Sequence, residues 1–143
     1  MPVTDIVCDT SVVLKWFHHE GEQEVDEARA LLAAHQSGLL TAWSLDLTLY
    51  ELGNVLLRSL GWPATDVAAQ LDDLNAICTA LTPTASELRL AAELAEKHTL
   101  TFYDAAYAAA ARSRGADLAT ADRALLDAGV GASPGAIAAG LGL

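Results

Sequence analysis

Four short apolar runs, each too brief for a helix and each followed by one or two helical patterns, constrain this chain most. They are Ile6-Val7-Cys8, Leu39–Trp43, Ile77–Leu81 and Asp117–Thr120. A short apolar run bounded by cap or turn residues reads as a buried strand. The intervening segments carry helical spacing instead. Thr10 or Ser11 caps a short helix through Val12, Val13, Leu14, Trp16 and Phe17. Glu22 to Gln36 places Val25, Ala28, Leu32 and His35 on one face and stops at Gly38. Ser44 is expected to cap a helix with Leu45, Leu49, Leu52 and Leu56 on one stripe, ending near Gly61-Trp62-Pro63. Thr65 opens another, with Val67, Ala68, Leu71 and Leu74 expected inward. Helices follow over Ala85–His98, Tyr103–Arg114 and Asp122–Ala128. From Gly129 the Gly, Ala, Ser and Pro content rises, and residues 129–143 are expected to form a weakly structured tail. Strands alternating with helices imply an α/β fold: a parallel sheet of four to five short strands with helices on both faces. The 143 residues suffice for one domain, 1–143, and no linker or repeat divides them.

In open parallel sheets, ligands bind beyond the carboxyl ends of the strands. That rule singles out Asp9 after the first run, and Thr120 and Asp122 after the last. Composition bears on what binds there. The chain holds 19 Asp and Glu against 8 Lys and Arg, a formal charge of −11. Such a surplus opposes broad attraction to nucleic acid, which rests on Lys and Arg, and favours a metal ion or a basic partner. Two cysteines are too few for a disulfide framework, and Cys8 in its apolar run reads as a buried thiol. No basic segment leads into an apolar one at Met1–Asp5, and no apolar stretch approaches the length of a spanning helix. A cytoplasmic protein without membrane contact is the expectation.

Each acid has a local reading of its own. Asp9 suits an N-cap, yet Thr10 and Ser11 also cap, so capping needs no acid there. Glu51 sits in a helix almost free of other charge and lies with Leu47, Val55 and Arg58 on the flank of the apolar stripe. It is either exposed, paired with Arg58, or a buried acid with a task, because a buried carboxylate is costly unless paired or bound to metal. Asp104 fits a capping box with Thr101. Tyr103 and Tyr107, four apart, read as packing groups. Asp122 fits an N-cap, and Glu22, Glu24, Asp26 and Glu27 read as a solvated helix face. Taken together, Asp9, Glu51, Asp104 and Asp122 would repel one another if they met, and would require a cation. Oxygen ligands alone favour Mg2+ or Mn2+. No His/Cys set has zinc spacing, His18-His19 reads as solvent-facing, and no phosphate-binding glycine loop is present.

Four segments carry a family resemblance. They are Asp9-Thr10-Ser11-Val12, Tyr50-Glu51-Leu52-Gly53-Asn54-Val55-Leu56, Tyr103-Asp104-Ala105-Ala106-Tyr107, and Leu118-Ala119-Thr120-Ala121-Asp122-Arg123. In order and spacing they resemble a PIN-domain ribonuclease, specifically the VapC-type toxin of type II toxin–antitoxin pairs. The resemblance implies a three-layer α/β/α fold and Mg2+- or Mn2+-dependent endonucleolytic cleavage of RNA that inhibits translation and growth. It places Asp9, Glu51, Asp104 and Asp122 at the acidic metal site, with Asp9 and Asp104 as direct ligands. Ser11, Asn54 and Thr120 become supporting groups, and Lys15, Arg58 and Arg123 possible RNA contacts. It also implies a VapB-like antitoxin as partner and a homodimer. A competing expectation is a non-catalytic PIN-fold module that binds protein. Two other strand-end-Asp classes fit less well. Ser11 stands where a haloacid-dehalogenase-like phosphatase needs a second Asp, and neither Lys15 nor Lys97 is placed for a receiver domain.

Overall fold

The computed structural model describes residues 3–143; Met1 and Pro2, the start of the stretch read for a leader, lie outside it. The strands are β1 (Thr4–Cys8), β2 (Leu40–Leu45), β3 (Ala80–Leu81) and β4 (Asp117–Ala119). They form one parallel sheet in the order β3-β2-β1-β4, with Ile6 opposite both Ala42 and Asp117. Strand side chains alternate between faces. Ile6, Cys8, Leu40, Ala42 and Ala119 therefore enter one core, while Val7, Leu45 and Leu118 enter the other. Both faces being apolar, both are covered, and the molecule has three layers.

On the first face lie α1 (Thr10–Phe17), α2 (Val25–Gln36), α3 (Asp46–Asn54), α4 (Ala64–Ile77) and α8 (Pro134–Leu141). On the second lie α5 (Ala85–His98), α6 (Phe102–Ser113) and α7 (Arg123–Asp127). The alanines of α6 have a packing reason: all of Ala105–Ala111 is buried, because this helix is wedged between α5 and the sheet. Larger side chains would force the layers apart. Of the expected stripe, Leu49, Leu52 and Leu56 pack into the first core, Leu52 and Leu56 fully buried, whereas Leu45 ends β2 and enters the opposite core. Each such leucine contributes about 1.5–3 kcal/mol of burial.

Several expectations require correction. The second helix begins at Val25, since Glu24 takes a left-handed φ of 52° and breaks the pattern. Ser44 does not cap; it is buried in β2, which runs on to Leu45, and the Leu45 N–H donates to Thr48 Oγ1 at 3.1 Å. The third helix ends at Asn54 and loosens into a π-helical turn over Val55–Ser59, closed by Leu60 N–H donating to the Val55 carbonyl at 3.0 Å. Ala68 is exposed, and Leu74 is the buried contact of α4. The tail is the largest difference. Ser133 caps α8 by accepting the Ala136 N–H, Pro134 occupies the first turn, and Ile137 and Ala138 are buried. Before it, Ala132 bridges Ala119 in parallel fashion, exchanging bonds with Thr120 N–H and the Leu118 carbonyl. Composition read this stretch as loop, but Ser-Pro is a helix start. Cys8 and Cys78 are buried free thiols. Among the described residues no helix is long and apolar enough to cross a membrane.

Candidate functional site

The strand order places β1 between β2 and β4, and the chain leaving β1 covers one face of the sheet with α1 while the chain leaving β4 covers the other with α7. In open parallel sheets ligands bind at such a point of divergence, here beyond the carboxyl ends of β1 and β4. Asp9 stands at this point, 4% exposed. Its Oδ1 caps α1 by accepting the Val12 N–H at 3.3 Å, and accepts Ser11 Oγ–H at 2.5 Å. Its Oδ2 accepts the Thr120 hydroxyl. Ser11 Oγ in turn accepts the Ala121 N–H at 2.8 Å, and Thr120 Oγ1 accepts the Asp122 N–H at 2.9 Å. Two hydroxyls thus clamp the exit of β1 to the exit of β4. Asp122 is the N-cap of α7, its Oδ1 accepting Ala124 N–H at 2.9 Å and Leu125 N–H at 3.3 Å.

Glu51 comes from α3 and is half-buried. It makes no ion pair with Arg58, which is exposed. Its Oε1 accepts Thr10 Oγ1–H at 2.7 Å and Tyr107 Oη–H at 2.6 Å. Asp104 lies in the first turn of α6, where Thr101 Oγ1 accepts its N–H at 3.1 Å. Among the described residues the return bond of a capping box is not made, so that carboxylate is not consumed by capping.

These acids feel one another. Burial pushes Asp9 up to about 6, the charge of Asp122 adds to the rise, and the bonds from Ser11, Thr120 and Val12 oppose it. Asp104 is raised by burial and then by Asp122, with a further push from Glu51. Burial holds the Tyr107 phenol far above its ordinary value, reinforced by its bond to Glu51. Among the described residues the ion pairs are Lys15–Glu22 and Arg123–Asp127, so none of the four carboxylates has a basic partner.

The donor set fits Mg2+ or Mn2+ by chemistry: carboxylates and hydroxyls, with no thiolate or imidazole. Buried Asp9 and half-buried Asp104 are both raised, first by burial and further by acidic neighbours, and lack a counter-charge, which a cation would supply. The set is open, however. Among the described residues no three His, Cys, Asp or Glu side chains are grouped to hold one ion together. Mg2+ commonly takes only one or two carboxylates and keeps several waters, so such spacing is compatible with it.

The supporting residues divide. Ser11 and Thr120 bond Asp9 directly, whereas Asn54 is exposed and bonds none of the acids. Lys15, expected to meet phosphate, is instead buried, and its Nζ is 2.9 Å from Glu22 Oε1. Helix α1 turns Val12, Val13, Lys15 and Trp16 inward together, and a buried ammonium needs its partner. Glu22 is correspondingly not a freely solvated acid. Arg58 and Arg123 are exposed. Arg123, Lys15, Ser11 and Ala121 all line one cavity of about 440 Å3. Tyr103 is 61% exposed, whereas Tyr107 is fully buried, so the two do not share a packing face. Sequence reasoning missed the role of Tyr107, Thr10 and Thr48 around Glu51. The available signal was Tyr107 three residues beyond Asp104, on the same side of one helix.

A set of acids at the carboxyl edge of a three-layer parallel sheet is the arrangement of a PIN domain. The PIN domain family model matches residues 6–130, and the chain belongs to that family. Exonuclease VapC9 of Pyrobaculum aerophilum is 39% identical over 87 residues, covering 57% of this chain and 62% of that relative. The chain thus matches under two thirds of that relative's length. The crystal structure of PAE2754 from the same organism superposes with a TM-score of 0.69 at 25% identity, covering 99% of this chain and 98% of that one. VapC20 of Mycobacterium tuberculosis, described as a sarcin–ricin loop cleaving toxin, shares the fold with a TM-score of 0.68 at 23% identity, covering 87% and 95%.

Proposed function

We propose that this PIN domain is a divalent-metal-dependent endoribonuclease, the toxin of a VapBC-type pair. The observation that carries the reading is the set Asp9, Glu51, Asp104 and Asp122: four acids from four elements, none with a basic partner, with Asp122 raising both Asp9 and Asp104. A fold does not retain such uncompensated charge for stability. The likeness to a VapC exonuclease and to the fold of a loop-cleaving toxin supports the same reading.

In this mechanism Asp9 and Asp104 would hold the ion, and Ser11 and Thr120 fix the orientation of Asp9 through its two oxygens. When bound, Mg2+ or Mn2+ would neutralise charge on the scissile phosphate and acidify a water. Asp122, on the far side of Thr120, adds negative potential, and Glu51 is placed to orient or deprotonate the attacking water. Arg123, exposed at the start of α7, is the base nearest in sequence to the acids and contacts phosphate. The partner in this reading is a VapB-like antitoxin whose basic residues complement the −11 surface. A homodimer follows from the same resemblance.

The open spacing of the acids is the one observation that favours a non-catalytic binding module. A circular RNA carrying a structured loop separates the readings, because a circle offers no end to an exonuclease. Linearisation with Mg2+ or Mn2+, absent in EDTA and in Asp9→Asn, is expected. Equal cleavage in EDTA or in the variant overturns the metal-nuclease reading, and no cleavage under any condition favours the binding module. Degradation of linear but not circular RNA would instead assign an exonuclease.

A further inference from the structure

The hydroxyls of Thr10 and Tyr107 meet at Glu51, that of Thr48 backs Tyr107, and their protons can be counted. Each hydroxyl has one proton to give. Thr10, at the start of α1, gives its proton to Glu51 Oε1 at 2.7 Å. Tyr107, in α6, gives its own to the same oxygen at 2.6 Å. Tyr107 Oη is also 2.8 Å from Thr48 Oγ1. With the phenol proton spent, Thr48 must be the donor in that contact. Thr48 Oγ1 in turn accepts the Leu45 N–H at 3.1 Å. The bonds therefore run one way, from the backbone at the end of β2 through Thr48 and Tyr107 into Glu51. The 3.0 Å approach of Thr10 Oγ1 to Tyr107 Oη has no proton left to it. It follows from both hydroxyls donating to one oxygen.

We propose that the hydroxyls of Tyr107 and Thr10 are positioning groups for Glu51, saturating Oε1 so that Oε2 alone is presented to a divalent cation or to its water. An oxygen that accepts two short charge-assisted bonds has little left to offer a metal. Among the described residues Oε2 accepts no hydrogen bond. Burial makes the arrangement rigid: Tyr107 is 1% exposed and Thr48 0%, so neither hydroxyl can turn to water instead. Tyr107 also shares α6 with Asp104, three residues earlier, and so ties the spacing of one acid to the orientation of another. Without these two donors the Glu51 carboxylate would rotate, and its cation-facing geometry would be one of several.

The inference rests on the metal reading above, and calorimetric titration of the RNA-free protein with Mn2+ separates the two. Uptake by the wild type, weakened in Asp9→Asn, supports the metal reading. No uptake overturns that reading and the present proposal together. Given uptake, Tyr107→Phe and Thr10→Val are each expected to raise the Mn2+ dissociation constant by about tenfold, the usual scale for groups that orient a ligand. Each effect should vanish when measured in a Glu51→Gln background, because the hydroxyls act only through that carboxylate. A merely structural role would persist there. Wild-type affinity in either single variant, or an undiminished effect in the Glu51→Gln background, overturns the proposal. Thr10→Val, at a half-buried position, keeps the test decisive if Tyr107→Phe fails to fold.

Discussion

At the scale of single residues, Asp9 shows what burial costs a carboxylate without a counter-charge. Its carboxyl is 4% exposed, and burial lifts it from 3.8 to about 6. A raised carboxyl is no burden below pH 3.8, where both folded and unfolded chains hold the proton. Between pH 3.8 and about 6 the unfolded chain gives up that proton while the folded chain keeps it, so stability falls across this window, by about 3 kcal/mol in all, and levels off once the folded carboxyl also ionises. The metal-free protein should therefore melt at a lower temperature at pH 7.5 than at pH 5. Asp9→Asn keeps the cap and the Ser11 bond but carries no charge, so it should flatten that decline and raise the pH 7.5 midpoint by several degrees. Differential scanning calorimetry in EDTA reads both, and a variant less stable than wild type at pH 7.5 would contradict the account. Lys15 shows the converse. Its partner Glu22 is 2.9 Å away, and Glu22→Gln should cost about 1–3 kcal/mol by leaving a buried ammonium half-satisfied. Urea denaturation of that variant checks the magnitude.

At the scale of elements, connections hold the acids in place. His35, near the end of α2, accepts the Ala42 N–H on Nδ1 at 3.0 Å, which leaves Nε2–H to donate to the Ile77 carbonyl at 2.7 Å. One imidazole so joins α2 to β2 and α4. His35→Ala should cost about 1–3 kcal/mol through the unpaired groups it leaves, measurable as a lower urea midpoint with unchanged slope. The segment before α8 reaches the site itself. A Cβ on Gly131 would stand 2.6 Å from Thr120 Cγ2, and Thr120 is fully buried with its hydroxyl on Asp9. Gly131→Ala should therefore displace Thr120 and lower the cleavage rate at least severalfold, although it alters no acid. Unchanged single-turnover cleavage would show that the Thr120 clamp is dispensable.

At the scale of the whole molecule, the charge of −11 limits how RNA can approach. With Lys15 internally paired, Arg58 and Arg123 remain of the three bases first considered, and both are exposed. Few phosphate contacts mean little counterion release, so RNA affinity should vary only weakly with salt, at a slope near one or two contacts. Arg123→Ala should lower that slope by about one, and Glu22→Gln should leave it unchanged. Fluorescence anisotropy of a labelled RNA over a salt series, with Ca2+ in place of Mg2+, measures both slopes.

Much of this was legible before folding. Short apolar runs separated by capped helices imply a covered parallel sheet, because buried strands must be apolar on both faces and parallel strands need crossovers. The candidate acids were legible only as a set: Asp9 and Glu51 stand where local structure needs no acid, whereas Asp104 and Asp122 each also fit a helix cap. Tertiary structure decided what depends on partners distant in sequence. Asp9 meets Thr120 across 111 positions, Glu51 meets Tyr107 across 56, and no local pattern encodes those pairs. It also decided that Lys15 faces Glu22 rather than phosphate, and that the Gly- and Ala-rich tail is a packed helix. A chain's own periodicity dictates which elements form and which face is apolar. What each polar side chain then touches is decided by the neighbours that packing brings to it.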